Sequence, residues 1–321
     1  MVNQRLYYLD WAKFLGLYWM VWGHSGSLEN YCCKWIYSFH MPLFFIISGM
    51  LSKNFPPPSD YGKERVVMSM KDNMIRLAKR LLLPYFLWCI VIMLIDICFY
   101  DMPLSVRILT MLSGTPMGHA NALWFVYCIF MIKTIHIFGF IRFYQWLILF
   151  VSLLYAFLSI FSDANILPRF IAFPLIAFPF YFIGFLLKDI IASLNKSKTI
   201  ILTLVGMCFP FIAASFYTRF DLYQYQFGGY MIEYYVFGIM GSLFVILGCK
   251  LLLFKRSDIV VLFANGSIMI LAIHRLLITW FAMNDSILYR IILSALILLL
   301  LYYPIKFCSK YFPVLIGNRK K

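Results

Sequence analysis

Three histidines, His24, His40 and His274, are the residues of this chain best suited to chemistry. Each lies within an apolar run, and imidazole is the side chain whose ordinary titration range sits near neutrality. A neutral imidazole can take a proton from a hydroxyl, or can itself carry an acyl group. Asp10 and Lys13 share the run of His24, Asp96 lies in a separate apolar run at 81–100, and Glu233 opens a later one. An ionisable group inside a lipid-spanning helix costs roughly 2.5–3.5 kcal/mol on insertion scales, so each is a functional candidate. The spacing from Lys13 to His24 is close to three helical turns, which puts both on one face about 16 Å apart. Asp10 and Lys13 stand at i and i+3, where an internal salt bridge is the alternative to a role in a site. Asp10 to His24 is about 21 Å along the same helix, too far for the carboxylate to orient the imidazole.

The elements that must hold these groups are membrane helices. Of the 321 residues, 63% are hydrophobic and 13% charged, against roughly 45–50% and 25% in soluble domains. That excludes a disordered chain and argues against a soluble enzyme, while transmembrane barrels would show a more diluted apolar signal. Apolar runs separated by charged or Pro/Gly-rich breaks predict ten helices, at 6–26, 35–53, 81–100, 121–141, 145–162, 168–188, 199–217, 231–254, 259–281 and 287–308. The expected fold is an all-α polytopic membrane bundle, a single domain over residues 1–321. The fifth helix is short and the sixth carries Pro174 and Pro179, which predict a kink or tilt. The longest loop, about 54–80, contains Pro56-Pro57-Pro58. Phe14–Trp22, preceded by Lys13, looks like the core of a signal peptide, but its Trp and Tyr content and the spans that follow predict a retained helix.

Basic residues orient this frame. With the N-terminus, the even-numbered connections and the C-terminus on one side, that side holds 21 Lys and Arg, from Arg5 and Lys53 to Lys321. The opposite side holds six: Lys34, Arg107, Arg169, Arg219, Arg275 and Arg290. Both termini are therefore expected in the cytoplasm, and the net charge of +15 reflects topology rather than a nucleic-acid partner. His24, His40 and His274 then fall at comparable depth in the outer half, which predicts a shared polar cavity; packing roles are the alternative. His119 and His136 are expected to be unremarkable. Arg76 and Arg80, at i and i+4 before the third helix, form either a phosphate-gripping pair or plain positive-inside anchors. Trp124 is a stacking platform or an interfacial aromatic. The eight cysteines read as small hydrophobes, and their spacing predicts no metal site.

The order of several short motifs resembles the acyltransferase family 3 integral-membrane proteins. Tyr8-Leu9-Asp10-Trp11-Ala12-Lys13 followed by Gly23-His24 is similar to that family's opening, and Ser38-Phe39-His40-Met41-Pro42 through Ser48-Gly49 to its second-helix motif. Arg80-Leu81-Leu82-Leu83-Pro84-Tyr85, Leu123-Trp124-Phe125 and Asn265-Gly266-Ser267 with His274 resemble later elements in the same order, so the likeness runs from residue 8 to 274. The closest flavour is the sugar O-acetyltransferase branch. Many members carry Arg where this chain has Lys13, and the basic lead-in is Arg76-x-x-Lys79-Arg80.

The resemblance implies an enzyme of the plasma (inner) membrane that moves an acetyl group from cytoplasmic acetyl-CoA to a sugar or polysaccharide of the cell envelope, with membrane lipid around it. It implies His24 as general base, with His40 or His274 orienting substrate or stabilising charge; an acyl-His intermediate is the competing mechanism. Lys13, Arg76 and Arg80 would take the donor, and Asp10, Ser48, Trp124 and Glu233 would contribute to substrate binding. A transporter or flippase of a lipid-linked sugar is the rival reading of a ten-helix frame with intramembrane charges.

Overall fold

Long aliphatic and aromatic runs make helices here because their backbone polar groups have nowhere else to bond in an apolar setting. The computed structural model describes residues 5–27, 30–52, 63–98, 102–138, 142–158, 167–217, 219–253, 255–281, 284 and 286–318; side chains 63–69, 142 and 143 are not among those described. Pro56-Pro57-Pro58, Lys53 and the basic end Arg319-Lys320-Lys321 lie outside the described residues, as do the side chains of Lys63, Arg65 and Arg142. The helices are α1 (Tyr7–His24), α2 (Tyr31–Tyr37), α3 (His40–Met50), α4 (Lys63–Asp96), α5 (Leu104–Leu112), α6 (Trp124–Phe138), α7 (Arg142–Leu158) and α8 (Arg169–Ser193). They continue as α9 (Lys196–Phe216), α10 (Met231–Leu252), α11 (Asp258–Asn265), α12 (Ser267–Thr279) and α13 (Ile287–Tyr311). A 3₁₀ turn, Gly118–Leu123, leads into α6, and another, Pro313–Ile316, follows α13.

The all-α reading holds, with corrections to several elements. The helix expected at 35–53 is two, broken at Ser38-Phe39, where Phe39 leaves helical geometry at φ −140°. Pro42 has no backbone N–H and is accommodated within the first turn of α3, so the second helix starts just ahead of it. The helix expected at 259–281 bends by 78° between α11 and α12, at Gly266, the residue type with the weakest hold on helical geometry after proline. Helix α4 starts at Lys63, well before residue 81. Its first turns are rich in Lys, Glu, Met and Arg, good helix formers that carry no continuous apolar run. Helix α5 and a short antiparallel hairpin, β1 (Phe220–Asp221) with β2 (Gln226–Phe227), were not expected. Six described helices are long and apolar enough to cross a membrane, or seven if the bent pair is one span. Helix α1 is not one of these six; Asp10, Lys13 and His24 dilute its hydropathy.

Helix α1 lies at the centre, in contact with α2, α3, α10, α11, α12 and α13. Beside it α3 crosses α8 with their backbones almost touching. A Cβ on Gly49 would run into the Tyr181 carbonyl, and one on Gly184 into the Ile46 carbonyl. Two buried polar anchors tie connecting segments to the bundle. Asp96, at the end of α4, accepts the His119 backbone N–H at 2.9 Å and the Nδ1–H of its ring at 2.5 Å. That fixes the 3₁₀ turn and hence the start of α6, and it corrects the expectation that His119 is an unremarkable loop residue. Arg290, fully buried on α13, donates to the Ser27 carbonyl and to Cys33 Sγ, pinning the connection between α1 and α2.

Candidate functional site

The break between α2 and α3 places Tyr37 and His40 on either side of a bend, beside the end of α1. There the Tyr37 hydroxyl and His24 Nδ1 share a hydrogen bond of 3.0 Å. The Tyr37 ring lies 4.8 Å from the His40 ring, and the His24 ring 5.2 Å from that of His274, which α12 brings in from the far end of the sequence. The structure thus brings His24, His40 and His274 together around Tyr37.

Backbone hydrogen bonds set two of the three tautomers. His40 Nδ1 is 3.1 Å from the Ile36 carbonyl, and His274 Nδ1 is 2.8 Å from the Ile270 carbonyl. A carbonyl only accepts, so both Nδ1 atoms carry hydrogen and each neutral ring keeps its Nε2 lone pair. His274 Nε2 is buried with no hydrogen-bond partner among the described residues. For His24 the partner is a hydroxyl that can give or take. Its Nε2 is a base only in the arrangement where Nδ1–H donates to the Tyr37 oxygen.

His24, His40 and Tyr37 face a cavity of about 250 Å³ whose lining also includes Asn121, Trp124 and Arg275, while His274 is fully buried and does not line it. The β1–β2 hairpin closes its other wall with Arg219, Phe220, Asp221, Tyr223 and Gln224. Arg219 Nη2 donates to Asp221 Oδ2 at 2.5 Å and its guanidinium sits 5.4 Å from the Tyr37 ring centre. The backbone N–H groups of Tyr223 and Gln224 donate to Asp221 Oδ1, closing the turn. Burial pushes the Asp221 carboxyl up from its ordinary range, and the Arg219 guanidinium pulls against that shift. Trp124 packs on Phe173 and on Tyr223, with ring centres 4.9 and 6.1 Å away, so it forms part of an aromatic wall.

The other end of α1 is built differently. Lys13 Nζ donates to the Ala264 carbonyl at 2.7 Å, at the C-terminal end of α11 where the bend frees that acceptor. Lys133 Nζ donates to the Ser48 carbonyl at 3.3 Å and the Ser52 hydroxyl at 3.1 Å, and Lys188 Nζ to the Ser52 carbonyl at 3.2 Å, all at the end of α3. Lys250 Nζ bonds the Ile191 and Leu194 carbonyls at the end of α8. Arg80 lies within electrostatic range of both Lys13 and Lys133. Helix C-termini carry partial negative charge, so they hold these cations without carboxylates.

The remaining predicted residues take the following places. Asp10 pairs with Arg5 through two bonds of 2.7 and 2.9 Å, rather than with Lys13. Arg5 also reaches the Asn265 side chain, which joins the two motif segments Asp10 and Asn265 at the Lys13 end. Ser48 contributes its carbonyl to Lys133. Arg76 is exposed and bonds within its own helix, to Asp72 and Asn73. Glu233 accepts the Tyr230 backbone N–H at 2.7 Å, capping α10. No group of three or more His, Cys, Asp or Glu among the described residues is placed to hold a metal ion. The sequence reading missed Tyr37, Asn121, Asp221 and Tyr223, left Lys133 in the basic tally, and left Arg219 and Arg275 in the sparse outer one. The alternating Tyr223-Gln224-Tyr225-Gln226-Phe227 before Gly228-Gly229 signals extended chain near the cap, but the turn itself falls earlier, at 222–225.

The fold is thus a bundle of apolar helices that gathers histidines at one end of a central helix and lysines at the other. The family model described as an acyltransferase domain matches residues 6–315, nearly the whole chain, and the chain belongs to that family, acyltransferase family 3. Searches of curated proteins and of solved structures give no match. The protein is therefore a membrane acyltransferase by family.

Proposed function

We propose that this acyltransferase moves an acetyl group from cytoplasmic acetyl-CoA to a hydroxyl of a cell-envelope sugar or polysaccharide, with His24 as general base. The observation that carries this reading is the cavity in which His24, held by Tyr37 and backed by the His274 ring, lies beside His40 under the Asp221 hairpin. His24 Nε2 takes the proton of the acceptor hydroxyl as its oxygen attacks the thioester carbonyl. The carbon–sulfur bond then breaks, the proton passes to the thiolate, and an oxygen ester and free CoA thiol remain. His40 and His274, each with Nδ1–H committed to a carbonyl, leave neutral Nε2 lone pairs in the neighbourhood of His24.

The donor side of the proposal rests on the lysine end. Lys13, Lys133 and Arg80 present cationic groups suited to phosphates, and Lys13 stands about 16 Å from His24 along α1. A donor with a long flexible arm between its phosphates and its thioester, as CoA has, matches that separation. In this reading the helices that correspond to the ten expected spans cross the plasma membrane, with both termini and the lysine end in the cytoplasm. The bent α11–α12 pair also suits a transporter, but family membership favours group transfer.

The test compares surface glycans from cells carrying wild type, His24→Ala or a deletion, with protein levels matched. Mass spectrometry should find an alkali-labile acetyl increment with the wild type alone. An increment that survives in His24→Ala removes His24 as base; unmodified glycan in all three removes this acceptor class.

A further inference from the structure

The polar inventory of the cavity is unbalanced. Arg275 lines it with no hydrogen bond or ion pair to any described residue. Arg219, about nine-tenths buried, spends Nη2 on Asp221 and leaves its Nε–H unpartnered. The buried Tyr234 hydroxyl in the lining is also unpartnered. Against these donors stands one carboxylate, Asp221, whose oxygens are already taken by Arg219 and the turn N–H groups. The unpaired Asn121 Oδ1 is a neutral acceptor. Arg169 stacks over Tyr223, a lining residue, and Tyr225 at 5.1 and 5.8 Å, adding a third guanidinium behind that aromatic wall. Two of the six basic residues on the side expected to be poor in them therefore line one cavity, and a third stacks on its Tyr223.

Positive-inside sorting gives no reason for that convergence, since it acts to deplete this side of Lys and Arg. Guanidinium groups carry a fixed fork of donors that matches carboxylate or phosphate, and a buried unpaired donor costs free energy until a ligand meets it. Resting on the acyltransferase reading and extending it, we propose that the acceptor is an anionic saccharide. Arg275 and Arg219 grip its carboxylate or phosphate while a neighbouring hydroxyl faces His24. Trp124 and Tyr223 supply the aromatic wall on which a sugar ring packs.

The experiment measures binding, so it is independent of acyl transfer. Full-length protein in lipid nanodiscs is titrated with glucuronate, its uncharged methyl ester, glucose and glucose 6-phosphate, with wild type, Arg275→Gln and Arg219→Gln. At least one of the anionic sugars should bind roughly tenfold or more tightly than its neutral counterpart, a gap of about 1.4 kcal/mol. Arg275→Gln, which breaks no bond within the protein, should erase that gap. The better-bound probe distinguishes a carboxylate from a phosphate site. Equal binding of charged and uncharged probes, no binding of either anionic sugar, or a gap that survives both substitutions overturns the proposal. Anion selectivity without any acetyl transfer would instead sink the proposed function and leave the cavity's preference for anions standing.

Discussion

The two ends of α1 solve the same electrostatic problem in opposite ways. At the lysine end, Lys13, Lys133, Lys188 and Lys250 are met by the terminal carbonyls of α11, α3 and α8, which stabilise a cation yet leave its net charge in place. At the histidine end, two imidazoles are tied to backbone carbonyls and a third to Tyr37, while an arginine–aspartate pair in the hairpin closes the wall. Backbone partners hold groups in position at both ends. The first end gathers amines on helix termini, an arrangement suited to binding an anion; the second gathers imidazoles beside a cavity, an arrangement suited to proton transfer.

Removing the proton acceptor should break that contrast most severely. His24→Ala is expected to lower acetyl transfer by about 10²–10⁴-fold, the usual contribution of a positioned acid or base, with fold and donor binding retained. Transfer within a few-fold of wild type would reassign the base to His40 or His274. The tight α3–α8 crossing that carries the lysine end comes next. Gly184→Ala sets a methyl against the Ile46 backbone, and overpacking of this kind costs about 1–3 kcal/mol. Its apparent Tm, followed by tryptophan fluorescence in detergent, should fall clearly. An unchanged Tm would mean that the two helices separate without penalty.

Two subtler changes sharpen the division of labour. Lys13→Met and Lys133→Met should each raise KM for acetyl-CoA, by roughly tenfold for one charge-assisted contact, with kcat little changed. A loss confined to kcat would instead put the lysines in the chemical step. Tyr37→Phe removes the hydroxyl bonded to His24 Nδ1. It should lower kcat roughly three- to tenfold and move the pH–rate profile, leaving KM for the donor in place. An unmoved profile would make Tyr37 a packing residue only.

The histidine cluster was legible in the sequence because helix direction and residue count give depth, and three groups at one depth in a small bundle have few places to go. What surrounds them was not. The Asp96–His119 bond joins residues 23 apart through a 3₁₀ turn with no periodic signal. The lysine partners are main-chain carbonyls, which leave no mark in side-chain patterns, and they become available only where helices end. One of those ends, at Gly266, falls inside a run that reads as continuous by hydropathy, as does the break at Ser38-Phe39 that sets the histidines. Asp10 and Lys13 satisfy the i, i+3 rule, yet Arg5 reaches Asp10 from outside the helix and Lys13 turns to the end of α11.

Because Lys13 and His24 ride on one uninterrupted helix, α1 sets both a length and a phase between the two ends. Each residue advances the axis by about 1.5 Å and turns it by about 100°. One residue inserted between Gly16 and Leu17 would lengthen the span trivially but swing His24 away from Tyr37 and out of register with Lys13. Four inserted residues would restore the rotation to within about 40° and add about 6 Å. Such a pair separates the two demands. If angular register governs, the longer insertion is the less damaging; if the reach of the donor arm governs, it is the worse.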